Sequence, residues 1–114
     1  MEDTFTITLP KDAPAGVLNE IQASVGALKG VEESGELTTR GLDVAMIGLW
    51  VKLISDSVGL TDALIDAVRK VFGLVREKGI KGAKVTIGTT VIELGDMSLD
   101  EFEKTMKRLK AVAG

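Results

Sequence analysis

The chain has 114 residues, 45% of them hydrophobic and 27% charged, with a net charge of −3 and neither cysteine nor histidine. That size and balance suit one globular domain over 1–114 with a real core, and exclude a disordered or disulfide-stapled chain. Without histidine or cysteine, the usual general base near neutral pH, the commonest metal ligand and thiolate chemistry are all missing.

In chain order, Thr4 to Leu9 alternates strictly, with Phe5, Ile7 and Leu9 on one face and threonines on the other. This predicts a half-buried strand that Pro10 ends. Asp12 and Pro14 then predict a helix start, Val17, Leu18, Ile21, Val25 and Leu28 its apolar stripe, and Gly30 its stop. Residues 31–41 read as a polar connector, with a short edge strand at Glu36 to Thr39.

The segment 41-GLDVAMIGLWVKLISDSVG-59 is apolar almost all the way round and holds the single tryptophan. It is expected to be a helix ending near Gly59. Its small stripe comprises Gly41, Ala45, Gly48, Lys52, Ser55 and Gly59, and its large stripe Leu42, Met46, Leu49, Trp50 and Leu53. Two settings suit such a helix: the centre of the domain, or an exposed protein interface formed by the large stripe. A membrane span needs roughly 20 apolar residues, and the run from Val44 to Val51, with Asp43 and Lys52 beside it, is far shorter. No signal peptide is visible in the polar, alternating start, so a cytoplasmic protein is expected.

Thr61-Asp62 reads as a fresh N-cap, followed by a helix with Leu64, Val68, Val71, Phe72 and Val75 on one side. A basic loop at Gly79 to Gly82 leads into 83-AKVTIGTTVIEL-94, a hairpin turning at Gly88-Thr89. With a type II′ turn, Ile87 faces Thr90, Val85 faces Ile92 and Ala83 faces Leu94 on one side, while Lys84 faces Glu93 on the other. Ser98 and Glu101 form a capping box for a last helix striped by Leu99, Phe102, Met106, Leu109 and Val112. The expected architecture is α+β: a small antiparallel sheet, made of the first strand, the hairpin and that edge strand, packed against about four helices.

The chemistry-bearing patterns are few. There is no nucleophile elbow, phosphate loop or metal-ligand spacing, and no cofactor is implied. The carboxylates, including the pairs Asp43 with Glu36 and Asp96 with Asp100, suit a solvated surface, so an enzyme is not expected. The 79-GIKG-82 loop with Lys78, Lys81 and Lys84 offers an alternative as a nucleic-acid contact, although such a loop in KH domains joins two helices and this one leads to a strand. Residues 1–65 hold 10 acids against 4 bases, and residues 66–114 hold 7 against 10, a polarity suited to steering a partner or to self-association.

Over residues 4–112 the chain resembles the effector-associated constant component domains of bacterial conflict systems. The resemblance lies in the first strand, the apolar segment 42-LDVAMIGLWVKLISDSVGL-60 and the paired 61-TDALIDAVRKVFGLVREK-78. It continues through the hairpin 84-KVTIGTTVIEL-94 and the last helix 98-SLDEFEKTMKRLK-110. It implies a noncatalytic adaptor, a constant component that links an effector, such as a protease or TIR-type domain, to a sensing or NTPase partner.

Overall fold

The computed structural model describes residues 4–14, 16–36, 46–54 and 60–113. The first strand, β1 (Thr4–Pro10), has the expected alternation: Phe5, Ile7 and Leu9 are buried and the threonines half-buried. Helix α1 runs Val17–Gly26, shorter than expected at both ends. Its start is set by Gly16, whose φ of 82° lies in the left-handed region, where a chain with no Cβ turns at no steric cost. Its buried residues are Val17, Ile21 and Val25.

The largest correction falls on the apolar segment. Met46 to Leu53 is a strand, β3, and not a helix. The residues expected as a connector include a second strand, β2 (Val31–Glu36), with a bulge between Val31 and Glu33. The remainder of the expected helix, 41–45 and 55–59, and most of the expected edge strand, 37–39, lie outside the described residues. The physical reason is visible in the pairing. Strand β3 is hydrogen-bonded on both edges, to β1 over Thr4↔Lys52 through Pro10↔Met46 and to β2 over Val31↔Leu53 through Glu36↔Leu49. A short apolar run satisfied on both edges has the same composition as a buried helix turn, and only its partners decide between them.

Helix α2 covers Leu60–Lys78, so Thr61 lies within its first turn and does not cap it. The expected stripe of Leu64, Val68, Val71, Phe72 and Val75 is buried. The helix ends in a Schellman turn: Gly79, at φ 65°, donates to the Arg76 carbonyl (3.2 Å), and Ile80 donates to that of Val75 (3.0 Å). Strands β4 (Lys84–Ile87) and β5 (Thr90–Glu93) pair as expected, with Ile87↔Thr90, Val85↔Ile92 and Lys84↔Glu93. Gly88 alone in the turn has positive φ (61°), as a type II′ turn requires. Beyond Glu93 the ladder gives way to a 3-10 turn at Leu94–Asp96, and Gly95 rather than Leu94 bonds to the Ala83 carbonyl.

Helix α3 (Leu99–Ala113) opens on the expected capping box, with Glu101 N–H donating to Ser98 Oγ (3.2 Å) and Ser98 N–H donating to Glu101 Oε1 (3.4 Å). Phe102 and Met106 are buried and Leu109 partly so, but Leu99 is 53% exposed and stands outside the stripe.

The described residues therefore hold an antiparallel five-stranded sheet, β2-β3-β1-β4-β5, and three α-helices, in place of about four helices and a small sheet. The class remains α+β. Buried residues from β1, β3, β4 and β5 form one cluster with those of α1, α2 and α3, which places the helices on one face of the sheet. Among the described residues, no helix is long and apolar enough to cross a membrane.

Two glycines give opposite expectations. A Cβ on Gly95 would come within 2.6 Å of the Gly82 nitrogen and 3.0 Å of the Ile80 carbonyl oxygen, both rigid backbone. Gly95→Ala is expected to destabilise by about 1–3 kcal/mol in urea unfolding, the scale of overpacking. Gly73, inside α2 with nothing within 4 Å of its Cβ position, is expected to gain about 0.5–1 kcal/mol as alanine.

Candidate functional site

With the helices on one side, every second residue of the strands points to the other side, which is uncovered among the described residues. The registers align these residues in rows. One row crosses all five strands: Gly35 beside Trp50, Trp50 beside Thr6, Thr6 beside Thr86, and Thr86 beside Val91. A parallel row runs from Gly48 through Thr8 and Lys84 to Glu93. Trp50 is half-buried and lies over Gly35, where a built Cβ would sit 2.8 Å from the indole. The missing side chain on β2 is what lets the ring lie flat on its neighbour. This covering of a strand glycine by a cross-strand aromatic stabilises both partners.

The expected interface residues divide accordingly. Met46 and Trp50 lie on the uncovered face and are half-buried. Leu49 and Leu53 alternate to the helix side and have no exposed surface, so in the folded domain they are core. The grouping of all four on one stripe required a helical period, and the strand period of two separates them. Leu42 lies outside the described residues. The sequence reading missed the threonine rows and Gly35 as parts of this face. The alternation of Thr4, Thr6 and Thr8 was the available signal, and it needed the strand at β3 to acquire a neighbour.

The lysines of the alternative contact fall on different layers of the domain. Lys78 ends α2 and pairs with Glu20 of α1 (3.3 Å) in the helix layer, whereas Lys84 stands on the uncovered sheet face and pairs with Glu93 (3.8 Å). Lys81 is exposed in the loop between. The glycines of that loop serve its backbone: Gly79 in the Schellman turn and Gly82, at φ 79°, in close approach to Gly95.

The helix layer carries its own charged seam. Arg69 of α2 and Glu103 of α3 form a two-pronged pair, with one Nη2–Oε2 contact of 2.9 Å, and Lys110 reaches Asp62 (3.7 Å). Beneath them Phe72 and Phe102 stack at 3.9 Å, with Arg76 over the first ring and Arg69 over the second. The hydrogen bonds from Arg69 hold the Glu103 carboxyl below the usual carboxylate range, against the opposing effect of desolvation. The bond with Glu103 likewise raises the Arg69 guanidinium. Among the described residues, no acidic group is set with others to hold a metal ion, and no buried side-chain nitrogen or oxygen lacks a hydrogen-bond partner.

No protein-family model matches the chain, and no curated protein matches it either.

The seam makes a pH-dependent prediction. Because the folded-state pKa of Glu103 is depressed, its stabilising contribution is full above the unfolded value of about 4.3 and is lost as pH falls through the folded value. Stability differences between the wild type and Arg69→Gln, measured by urea unfolding across a pH series, should be greatest near neutrality and shrink in acid. High salt should shrink them too, since the pair is solvent-exposed.

Proposed function

We propose that this chain is a noncatalytic protein–protein interaction module that receives a partner on the uncovered face of its sheet. The observation that carries the reading is the position of Trp50, an indole outside the core, over Gly35, on a sheet face that carries no helix among the described residues. Trp and Met are enriched at protein interfaces, and Trp often dominates their energetics. The threonines around it supply hydroxyl donors and acceptors with little side-chain entropy to lose. A noncatalytic role is also favoured by the ionisable groups whose pKa values are shifted. Arg69 and Glu103 hold each other at the exposed surface of the helix layer, which suits a structural pair more than an acid–base pair.

The proposed partner is an effector or sensor component of a bacterial defence or conflict system, acting in the cytoplasm, with this chain as the constant link. That part rests on the sequence resemblance, in which the first strand, the helix 61–78 and the closing hairpin keep their expected form while 46–53 does not.

The test is Trp50→Thr, a substitution that continues the threonine pattern of the neighbouring strand. The far-UV circular dichroism should be unchanged, and wild-type Trp50 fluorescence should be quenched by acrylamide. Pull-down and titration against the products of adjacent genes should show the variant weakened about thirtyfold, the loss of roughly 2 kcal/mol at a tryptophan hot spot. Partner binding that is indifferent to Trp50→Thr would overturn this use of the face. Light scattering that reports a monomer, with no adjacent product bound, would overturn the adaptor role itself.

A further inference from the structure

The sheet ends in two edges of different character. Strand β2 carries Glu32, Glu33 and Glu36 and a bulge, features by which natural sheets discourage further pairing. Strand β5 has no bulge and exposes Val91 at 54%. Beside it, α3 forms the second wall of a groove of about 340 Å³. Val91, Ile92, Met97 and Leu109 make it apolar, with Thr105 and Arg108 on the helical wall.

The hairpin register determines which backbone groups this edge offers. In a two-residue hairpin, the residues flanking the turn exchange both of their hydrogen bonds, and the pattern alternates from there. Thr90 and Ile92 therefore spend their N–H and C=O groups on β4, and Val91 and Glu93 direct theirs outward. The Glu93 carbonyl is taken by the 3-10 turn at Leu94–Asp96. What is left is the N–H and C=O of Val91 and the N–H of Glu93, spaced to receive one more strand. Charge narrows the choice of strand. Arg108 has no ion-pair partner among the described residues, and Lys104 lies one helical turn before it, while Glu93 is engaged by Lys84. Of the side chains that line the groove, Arg108 is the charged one.

We propose that the groove between β5 and α3 is a strand-addition site for an extended segment of a partner protein whose groove-facing residues, every second one, are apolar with one acid among them. Backbone bonds to Val91 and Glu93 hold the segment, apolar residues fill the space over Ile92 and Leu109, and an acid meets Arg108. A second copy's β5 is disfavoured as occupant, because two-fold pairing would bring Arg108 of each copy toward the same seam. The bulge in β2 argues against that strand as well. This site borders the uncovered face at Val91 and does not depend on the reading of Trp50.

The test uses the whole chain, isotopically labelled, with the blocked hexapeptide Thr-Val-Thr-Glu-Thr-Val, whose valines and glutamate share one face, as the probe and its counterpart with lysine in place of glutamate as control. The acidic peptide should shift the amide resonances of 90–93 and 105–109, and the lysine peptide should not. Arg108→Glu should weaken the acidic peptide by about threefold to tenfold, in keeping with a partly exposed charge pair reversed in sign, and should improve the lysine peptide. Val91→Pro removes an N–H that the hairpin does not use, and should abolish binding with the hairpin resonances of β4 retained. Should that variant lose the hairpin, N-methylation of alternate peptide amides provides the same test from the other side, and binding should disappear. Shifts confined to other residues, equal binding of both peptides, or unaltered binding of Val91→Pro or of the methylated peptide would each overturn the proposal. So would shifts at 90–93 that depend on protein concentration without peptide, which would assign the edge to a second copy. Each of these outcomes leaves the Trp50 result unaffected, and the reverse holds too.

Discussion

The antiparallel pairing of β1 with β3, seven residues in register from Thr4↔Lys52 to Pro10↔Met46, is the contact on which the rest of the structure depends. It places Phe5, Ile7 and Leu9 side by side with Val51, Leu49 and Ile47, and so creates a continuous apolar surface for the helices. It also sets the opposite surface, since a register slip of one residue would exchange the two faces. With β1 in the middle of the sheet, β4 and β5 extend one side and β2 the other.

The helices answer that surface with complementary stripes. Residues of α1, α2 and α3 with essentially no exposure, such as Ile21, Val68 and Phe102, close over the sheet. Burying a large aliphatic or aromatic side chain contributes about 1.5–3 kcal/mol, against which an exposed pair such as Lys110 with Asp62 contributes less than about 1 kcal/mol. The core therefore determines the fold, and the ion pairs between helices trim its surface. The stacked Phe72 and Phe102 join the two levels: their rings are buried, and the arginines above them belong to the charged seam.

With the three described helices on one side, two places are left open among the described residues. One is the face bearing Trp50 and the threonine rows, which presents side chains; the other is the β5 edge, which presents backbone. They suit different kinds of partner, a folded surface for the first and an extended segment for the second. The adaptor role proposed above would call for two such sites, and these two adjoin, because the row through Trp50 runs across the sheet to Val91.

Much of this was legible in the sequence. Strict alternation at 4–9, the stripe from Leu64 to Val75, the Gly88 turn with its register, and the Ser98–Glu101 box are each signals contained within a few residues, and each took the expected form. The segment 46–53 did not, because Met46, Gly48 and Trp50 on its other face interrupt the alternation of polar residues, and such a run matches a buried helix equally well. Leu99 was misplaced for a related reason: a helical period assigns a face, but only the packing of α3 on α2 determines where that face ends. The sequence by itself determined the first strand, the α2 stripe, the β4–β5 hairpin and the Ser98–Glu101 cap, since propensity, periodicity and turn chemistry act within a few residues. Tertiary structure decided the conformation of β3, the division of Trp50 from Leu49 and Leu53, and the exposure of the β5 edge, since these depend on neighbours far away in the chain.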